Sequence, residues 1–222
     1  MAVGWVTFDL NGTLVDPGVL AQPLGDTAEA DAIVQRAFDV AVSEAMATTL
    51  TGEHAAFRDL LDAALRRALT LAGQDANLAG DAIELLAAMP AFIDAPAALE
   101  RLRGEGLRLA VLTQSTTADA DQVLRFSGLR DRIDLVIGSD EVGAFKPDPR
   151  MYRAAVERAG VPAAEVCLVA AHWWDVLGAA RAGLRTGWVA RRERLLLSTV
   201  PEPDAHGTDL AEVADAIVAR LS

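Results

Sequence analysis

The residues with the most chemical content lie in Val3-Gly4-Trp5-Val6-Thr7-Phe8-Asp9-Leu10-Asn11-Gly12-Thr13-Leu14-Val15-Asp16, where an apolar run ends in a carboxylate and a turn follows at once. Such a run reads as a buried parallel strand, and α/β sheets bind ligands beyond the carboxyl ends of their strands. Asp9 is therefore expected at the floor of a site, flanked by loop amides able to hold an anion. Two residues on, where a second acid would complete a nucleophile and proton-donor pair, the chain has Asn11.

A second signal is the choice of cation. Of 20 Lys and Arg residues, Lys146 is the single lysine. A compact ammonium on a flexible stem fits between carboxylates where a planar guanidinium does not. Lys146 is thus expected to hold a specific place among acids.

These residues need a scaffold, and the hydrophobic pattern supplies one. Apolar, partly β-branched runs recur at Val3–Phe8, Leu107–Leu112, Leu135–Ile137, Val166–Val169 and Thr186–Val189, with helical patterns between them at Pro96–Arg103, Thr117–Phe126, Pro149–Arg158 and Asp175–Arg181. Alternation of this kind implies right-handed crossovers and a parallel sheet. The stretch from Pro17 to Pro90 differs, with helical periodicity in Asp31–Leu50, Ala55–Leu71 and Ala79–Met89 and no strand pattern. Inserted after the first strand, it is expected to cap that strand's carboxyl end, with Pro17-Gly18 and Met89-Pro90 as hinges. The predicted division is a core of residues 1–16 and 91–222 with a helical cap of residues 17–90. After a Pro-rich linker, Pro201-Glu202-Pro203, an amphipathic helix is expected from Asp209 to Leu221.

Composition narrows the class. A chain of 222 residues with 52% hydrophobic residues can bury a substantial core. A net charge of −12 disfavours nucleic acid and anionic membranes as partners. The lone Cys167 lies in an apolar run and is expected to be packing rather than part of a disulfide. No apolar stretch has the length of a membrane span, and the N-terminus enters a strand without the pattern of a signal peptide. A cytoplasmic location is the expectation. His54 and His206 lack acid or cysteine partners at metal-ligand spacing. The run Arg191-Arg192-Glu193-Arg194 reads as solvated surface or a subunit contact.

Four segments fall at predicted strand ends: Asp9 to Thr13, Thr113-Gln114-Ser115, Phe145-Lys146-Pro147-Asp148-Pro149, and Ala170-Ala171-His172-Trp173-Trp174-Asp175. In a parallel sheet all such ends share one edge and can converge on one pocket. Here the chain resembles the haloacid dehalogenase superfamily over nearly its whole length. FDLNGTLVD is similar to that superfamily's first motif, VLTQST to its second, AFKPDPRMY to its third and VAAHWWDVLGAARAGLRTGWVAR to its fourth. The resemblance implies an α/β fold, a doubly wound, Rossmann-like parallel sheet with an inserted helical cap.

Most of that superfamily are magnesium-dependent phosphatases, and two positions depart from what such an enzyme needs. The acid expected four residues before Asp175 is Ala171, and the proton donor expected at position 11 is Asn11. An amide cannot deliver a proton to an alkoxide leaving group at neutral pH. Halide departure needs no proton. The fourth motif is similar to the Ser-Ser-Asn-x-Trp-Asp run of L-2-haloacid dehalogenases, with Trp174 and Asp175 matching and His172 in place of Asn.

The resemblance therefore implies a hydrolase of short 2-haloalkanoic acids that requires no metal or other cofactor. Asp9 would attack C2 to form an aspartyl ester. Lys146 would keep Asp9 ionised, Asp175 would position Lys146, and Thr13 would orient Asp9. The implied substrate-binding set is Leu10, Asn11, Thr113, Gln114, Tyr152, His172 and Trp174. Of the adjacent tryptophans, one is expected to wall the pocket, by resemblance Trp174, and the other to pack in the core. Asn11 stands where dehalogenases of this type have Tyr, Thr113 and Gln114 where they have Ser and Asn, and Ala170 in place of a site serine. The halide-receiving cap arginine has no matched counterpart, Arg36 lying in roughly the right helix. A homodimer is implied by resemblance alone. A phosphatase and a catalytically silent binding protein are the alternatives.

Overall fold

The computed structural model describes residues 2–25 and 27–221. In chain order the elements are β1 (Trp5–Phe8), α1 (Ala28–Thr51), α2 (Phe57–Leu71), α3 (Leu78–Glu84), α4 (Ala95–Gly104), β2 (Arg108–Leu112), α5 (Thr117–Phe126), β3 (Leu135–Ile137), α6 (Ser139–Val142), α7 (Pro149–Ala159), β4 (Val166–Ala170), α8 (Trp173–Arg181), β5 (Arg185–Val189), β6 (Ala205–Gly207) and α9 (Leu210–Leu221). The strands form one sheet in the order β3-β2-β1-β4-β5-β6. Every pairing is parallel, with Phe8 of β1 in register with Val111 of β2 and with Val169 of β4.

Side chains on successive strand residues alternate between faces. Val6 and Phe8 of β1, Leu109 and Val111 of β2, and Cys167 and Val169 of β4 share a buried cluster with α4, α5 and α9. Trp5, Ala110, Leu112, Val166, Leu168 and Ala170 share the opposite cluster with α7 and α8. Helices thus cover both faces, which is why these strands read as unbroken apolar runs. The lone cysteine, Cys167, is fully buried in the first cluster.

Between β1 and α4 the described chain is helical apart from its connections: a 3-10 segment at Pro17–Leu24, then α1, α2, α3 and a 3-10 turn at Leu85–Ala88. Thr27 caps α1 by accepting from Ala30 N at 3.2 Å, as an N-cap hydroxyl does. The single helix expected over Ala79–Met89 is instead α3 followed by that tighter turn. No strand was expected after Val189, yet β6 adds an edge strand just beyond the Pro-rich segment. Among the described residues, no helix is long and apolar enough to cross a membrane.

Candidate active site

The sheet winds outward in both directions from between β1 and β4, and a crevice forms where strand order reverses. Asp9 follows β1 directly, its backbone N–H donating to Val169 O on β4 at 3.0 Å. Thr113 and Gln114 follow β2, and Asp175 lies in the first turn of α8, which leaves β4 after a short loop. Lys146 lies between α6 and α7, and Gln114 fixes its backbone. The Gln114 amide accepts from Lys146 N at 2.8 Å and donates to Lys146 O at 2.9 Å. Ser139 Oγ in turn donates to Gln114 O at 2.7 Å.

The Lys146 ammonium is wholly buried and uses all three of its donors. Nζ lies 2.8 Å from Asp9 Oδ1, 2.6 Å from Asp175 Oδ2 and 2.9 Å from Leu112 O. Burying three charges costs several kcal/mol per ion, repaid only where geometry is close and every donor is matched. A guanidinium here would bring five donors and a plane to a place with three acceptors. The other oxygen of Asp9 accepts from Thr13 Oγ1 at 2.7 Å, and that hydroxyl accepts from Ala171 N at 3.0 Å. Tyr152 donates to Asp175 Oδ1 at 2.8 Å. A Cβ at Gly178 would collide with this Tyr152 ring, so the contact requires glycine on α8.

Charge states follow from this wiring. Burial pushes the Asp9 carboxyl upward, but the Lys146 ammonium, the nearby His172 and hydrogen bonds from Lys146 and Thr13 outweigh it, leaving Asp9 below its ordinary value. For Lys146 burial acts downward, and Asp175 and Asp9 more than offset it, so the ammonium is held. Asp175 is raised, by burial first and by the charge of Asp9, against the pull of Lys146 and Tyr152. Burial and the neighbouring carboxylates keep Tyr152 protonated.

A third acid extends the network. His172 Nε2 lies 3.1 Å from Asn11 O and 3.6 Å from Asp9 Oδ2, while Nδ1 lies 3.6 Å from Glu193 Oε1. Burial lowers the imidazole pKa, yet Glu193, Asp9 and the Asn11 carbonyl raise it to a net value above the ordinary one. The ring stacks on Trp174 with centroids 5.2 Å apart and planes within 4°. Gly12, at φ +80, closes the loop beneath it, where a Cβ would stand 3.1 Å from His172 Nε2.

Above these groups opens a cleft of about 760 Å³, and Asp9, Asn11, Thr113, Gln114, His172 and Trp174 line it. Several expectations need correction. Leu10 is fully buried in the apolar core and Tyr152 is sealed beneath Asp175; neither lines the cleft. Leu10 is turned inward by the tight turn in which Thr13, Leu14 and Val15 all donate to its carbonyl. Trp173, expected to pack in the core while Trp174 walls the pocket, is 37% exposed and lines the cleft as Trp174 does. Arg36 is exposed and is not among the residues that line the cleft.

The run from Arg191 to Arg194 is not simply solvated. Arg191 donates to Thr13 O at 3.1 Å and to Asp94 at 2.8 Å and lies over the Phe92 ring at 3.8 Å, so it braces the turn after Asp9. Arg192 and Glu193 line the cleft, and Glu193 also accepts from Trp173 N at 2.9 Å. Their position just past β5, on the same sheet edge as Asp9, was the available signal.

The donor set is poorly suited to a metal between Asp9 and Asp175, because the Lys146 nitrogen already bridges them. Position 171, adjoining Thr13, is an alanine.

A family model of haloacid dehalogenase-like hydrolases matches residues 3–183. The chain is 33% identical over 193 residues to (S)-2-haloacid dehalogenase 4A of Burkholderia cepacia, covering 83% of this chain and 82% of that protein. It is 29% identical over 217 residues to (S)-2-haloacid dehalogenase H-109 of Pseudomonas putida, covering 95% and 96%. The solved structure of an L-2-haloacid dehalogenase matches with a TM-score of 0.90 at 26% identity, covering 98% of this chain and 100% of that one. The chain belongs to the haloacid dehalogenase-like hydrolases.

Proposed function

We propose that the protein is an (S)-2-haloacid dehalogenase, hydrolysing a small-molecule 2-haloalkanoic acid to its 2-hydroxy acid and halide. The observation that carries this reading is the Asp9–Lys146–Asp175 arrangement, an ionised carboxylate held at the cleft floor by a buried ammonium. Asp9 attacks C2 from behind the carbon–halogen bond, the halide leaves with the bonding pair, and an aspartyl ester forms with inversion. Water then adds to the ester carbonyl of Asp9, freeing the 2-hydroxy acid, a proton and the carboxylate. Thr13 and Lys146 orient Asp9, and Asp175 and Tyr152 orient Lys146. Asn11, Thr113, Gln114, His172 and Trp174 surround the substrate. Residues 17–90 act as a cap over residues 1–16 and 91–222.

The relatives' names support the substrate class and its stereochemistry. Nothing at position 11 suits phosphate ester cleavage, since the Asn11 amide cannot protonate an alkoxide. Incubation with (S)-2-chloropropanoate in the presence of a chelator should release chloride and give (R)-lactate, and Asp9→Asn should abolish both. Halide release that depends on added magnesium would overturn this reading. A homodimer in the cytoplasm is the expected assembly and place, to be checked by light scattering and fractionation.

A further inference from the structure

The cleft is large for a three-carbon acid. Its volume of about 760 Å³ falls within the range of about 300–1,000 Å³ that encloses drug-sized ligands, whereas 2-chloropropanoate would fill a small part of it. The surplus space has a defined apolar wall. Helix α1 presents Val34, Phe38, Val42 and Met46 to the cleft, spaced four residues apart on one ridge. At the helical rise this ridge extends about 18 Å. Phe57 of α2 and Trp173 of α8 add aromatic surface to the same cleft. The neighbouring ridge of α1 is polar, with Asp31, Gln35, Asp39 and Ser43. The helix therefore shows the cleft an apolar track bordered by a polar one, in the same cleft as Asp9.

We infer that the physiological substrates are 2-haloacids with a long alkyl or arylalkyl substituent on C2, which lies along the Val34–Phe38–Val42–Met46 ridge while the reacting carbon sits at Asp9. This rests on the dehalogenase reading above and narrows it. The chemistry is unchanged: Asp9 forms the C2–O bond, halide departs with its electron pair, and water splits the ester. Only the binding of the substituent is added. Apolar contact of this kind should raise kcat/KM by about fourfold per methylene removed from water.

The test is bromide release from a series of (S)-2-bromo acids on the full chain: 2-bromopropanoate, 2-bromobutanoate, 2-bromohexanoate, 2-bromooctanoate and 2-bromo-3-phenylpropanoate. The expected result is kcat/KM rising by more than tenfold from the three-carbon to the eight-carbon acid, with the phenyl acid also above 2-bromopropanoate. Val42→Trp fills the track, so the ratio of eight-carbon to three-carbon kcat/KM should fall toward one. A ratio that is flat or declines with length in the wild-type protein, while 2-bromopropanoate is still turned over, overturns the inference and leaves the dehalogenase reading standing. Absence of bromide from every acid overturns both.

Discussion

Lys146 Nζ sits 2.8 Å from Asp9 Oδ1 with its side chain wholly buried, and two further acceptors take its remaining hydrogens. The protein's one lysine is thus the only ammonium in the cluster, spent on a place where three point-like donors meet three oxygens. Lys146→Arg should reduce kcat by at least about 100-fold, since a displacement near 1 Å at the reacting group costs about that much. Lys146→Met should also lower the unfolding free energy by about 3–5 kcal/mol, because it leaves buried charge uncompensated. Halide-release kinetics and urea titration read these effects separately. Wild-type activity in Lys146→Arg would refute the role assigned to the ammonium.

The Thr13 hydroxyl links Asp9 to the β4 loop through two hydrogen bonds. Thr13→Val keeps the shape and removes both, so stability should drop by about 1–3 kcal/mol. The kcat for halide release should fall along with it, as Asp9 loses one of its two orienting donors. Thermal melts and steady-state kinetics on the same preparation check the pair of effects.

The helix face carrying Asp175 is spaced for Tyr152. Gly178→Ala places a methyl group against the Tyr152 ring, and overpacking of this kind costs about 1–3 kcal/mol. The displaced ring would also release Asp175 Oδ1, so kcat should decline beyond what lost stability explains at temperatures well below the melting point. Tyr152→Phe should reproduce the kinetic loss with a smaller loss of stability.

How far the site could be read in advance depended on the kind of signal each residue leaves. Asp9 stands directly at the end of an apolar run, Lys146 beside a proline turn, and Asp175 in the segment that follows the β4 run, so their types and positions sufficed to expect them together. Strands β1 to β5 are buried along nearly all of their length and carry apolar runs that can be read. Strand β6 is only Ala205-His206-Gly207 at the sheet edge, which leaves no apolar run to read. Glu193 and Arg191 act from a loop across the sheet edge, and their partners at His172, Thr13 and Asp94 are set by tertiary packing alone. The inward turn of Leu10 and the outward position of Trp173 depend on local backbone geometry that residue type does not encode.

Two titrations of opposite sign should shape the pH dependence of stability. His172 is raised, against burial, by Glu193, Asp9 and the Asn11 carbonyl. Its contribution is full below the unfolded imidazole value of about 6.5 and is lost as pH rises through the higher folded value. Asp9 is lowered despite burial, chiefly by Lys146. Its contribution is present above the unfolded value of about 3.9 and is lost as pH falls through the lower folded value. The gap in melting temperature between wild type and His172→Asn should therefore narrow from pH 6 to pH 9. A gap that widens over that range would contradict the assigned neighbours.

Covalent catalysis by Asp9 is tested most directly by a single turnover of (S)-2-chloropropanoate in water enriched in oxygen-18, with enzyme in excess, followed by mass analysis of the peptide containing Asp9. Attack of water on the aspartyl ester puts the heavy oxygen into the Asp9 side chain and leaves the lactate hydroxyl unlabelled. Label in the lactate hydroxyl with none in Asp9 would contradict it.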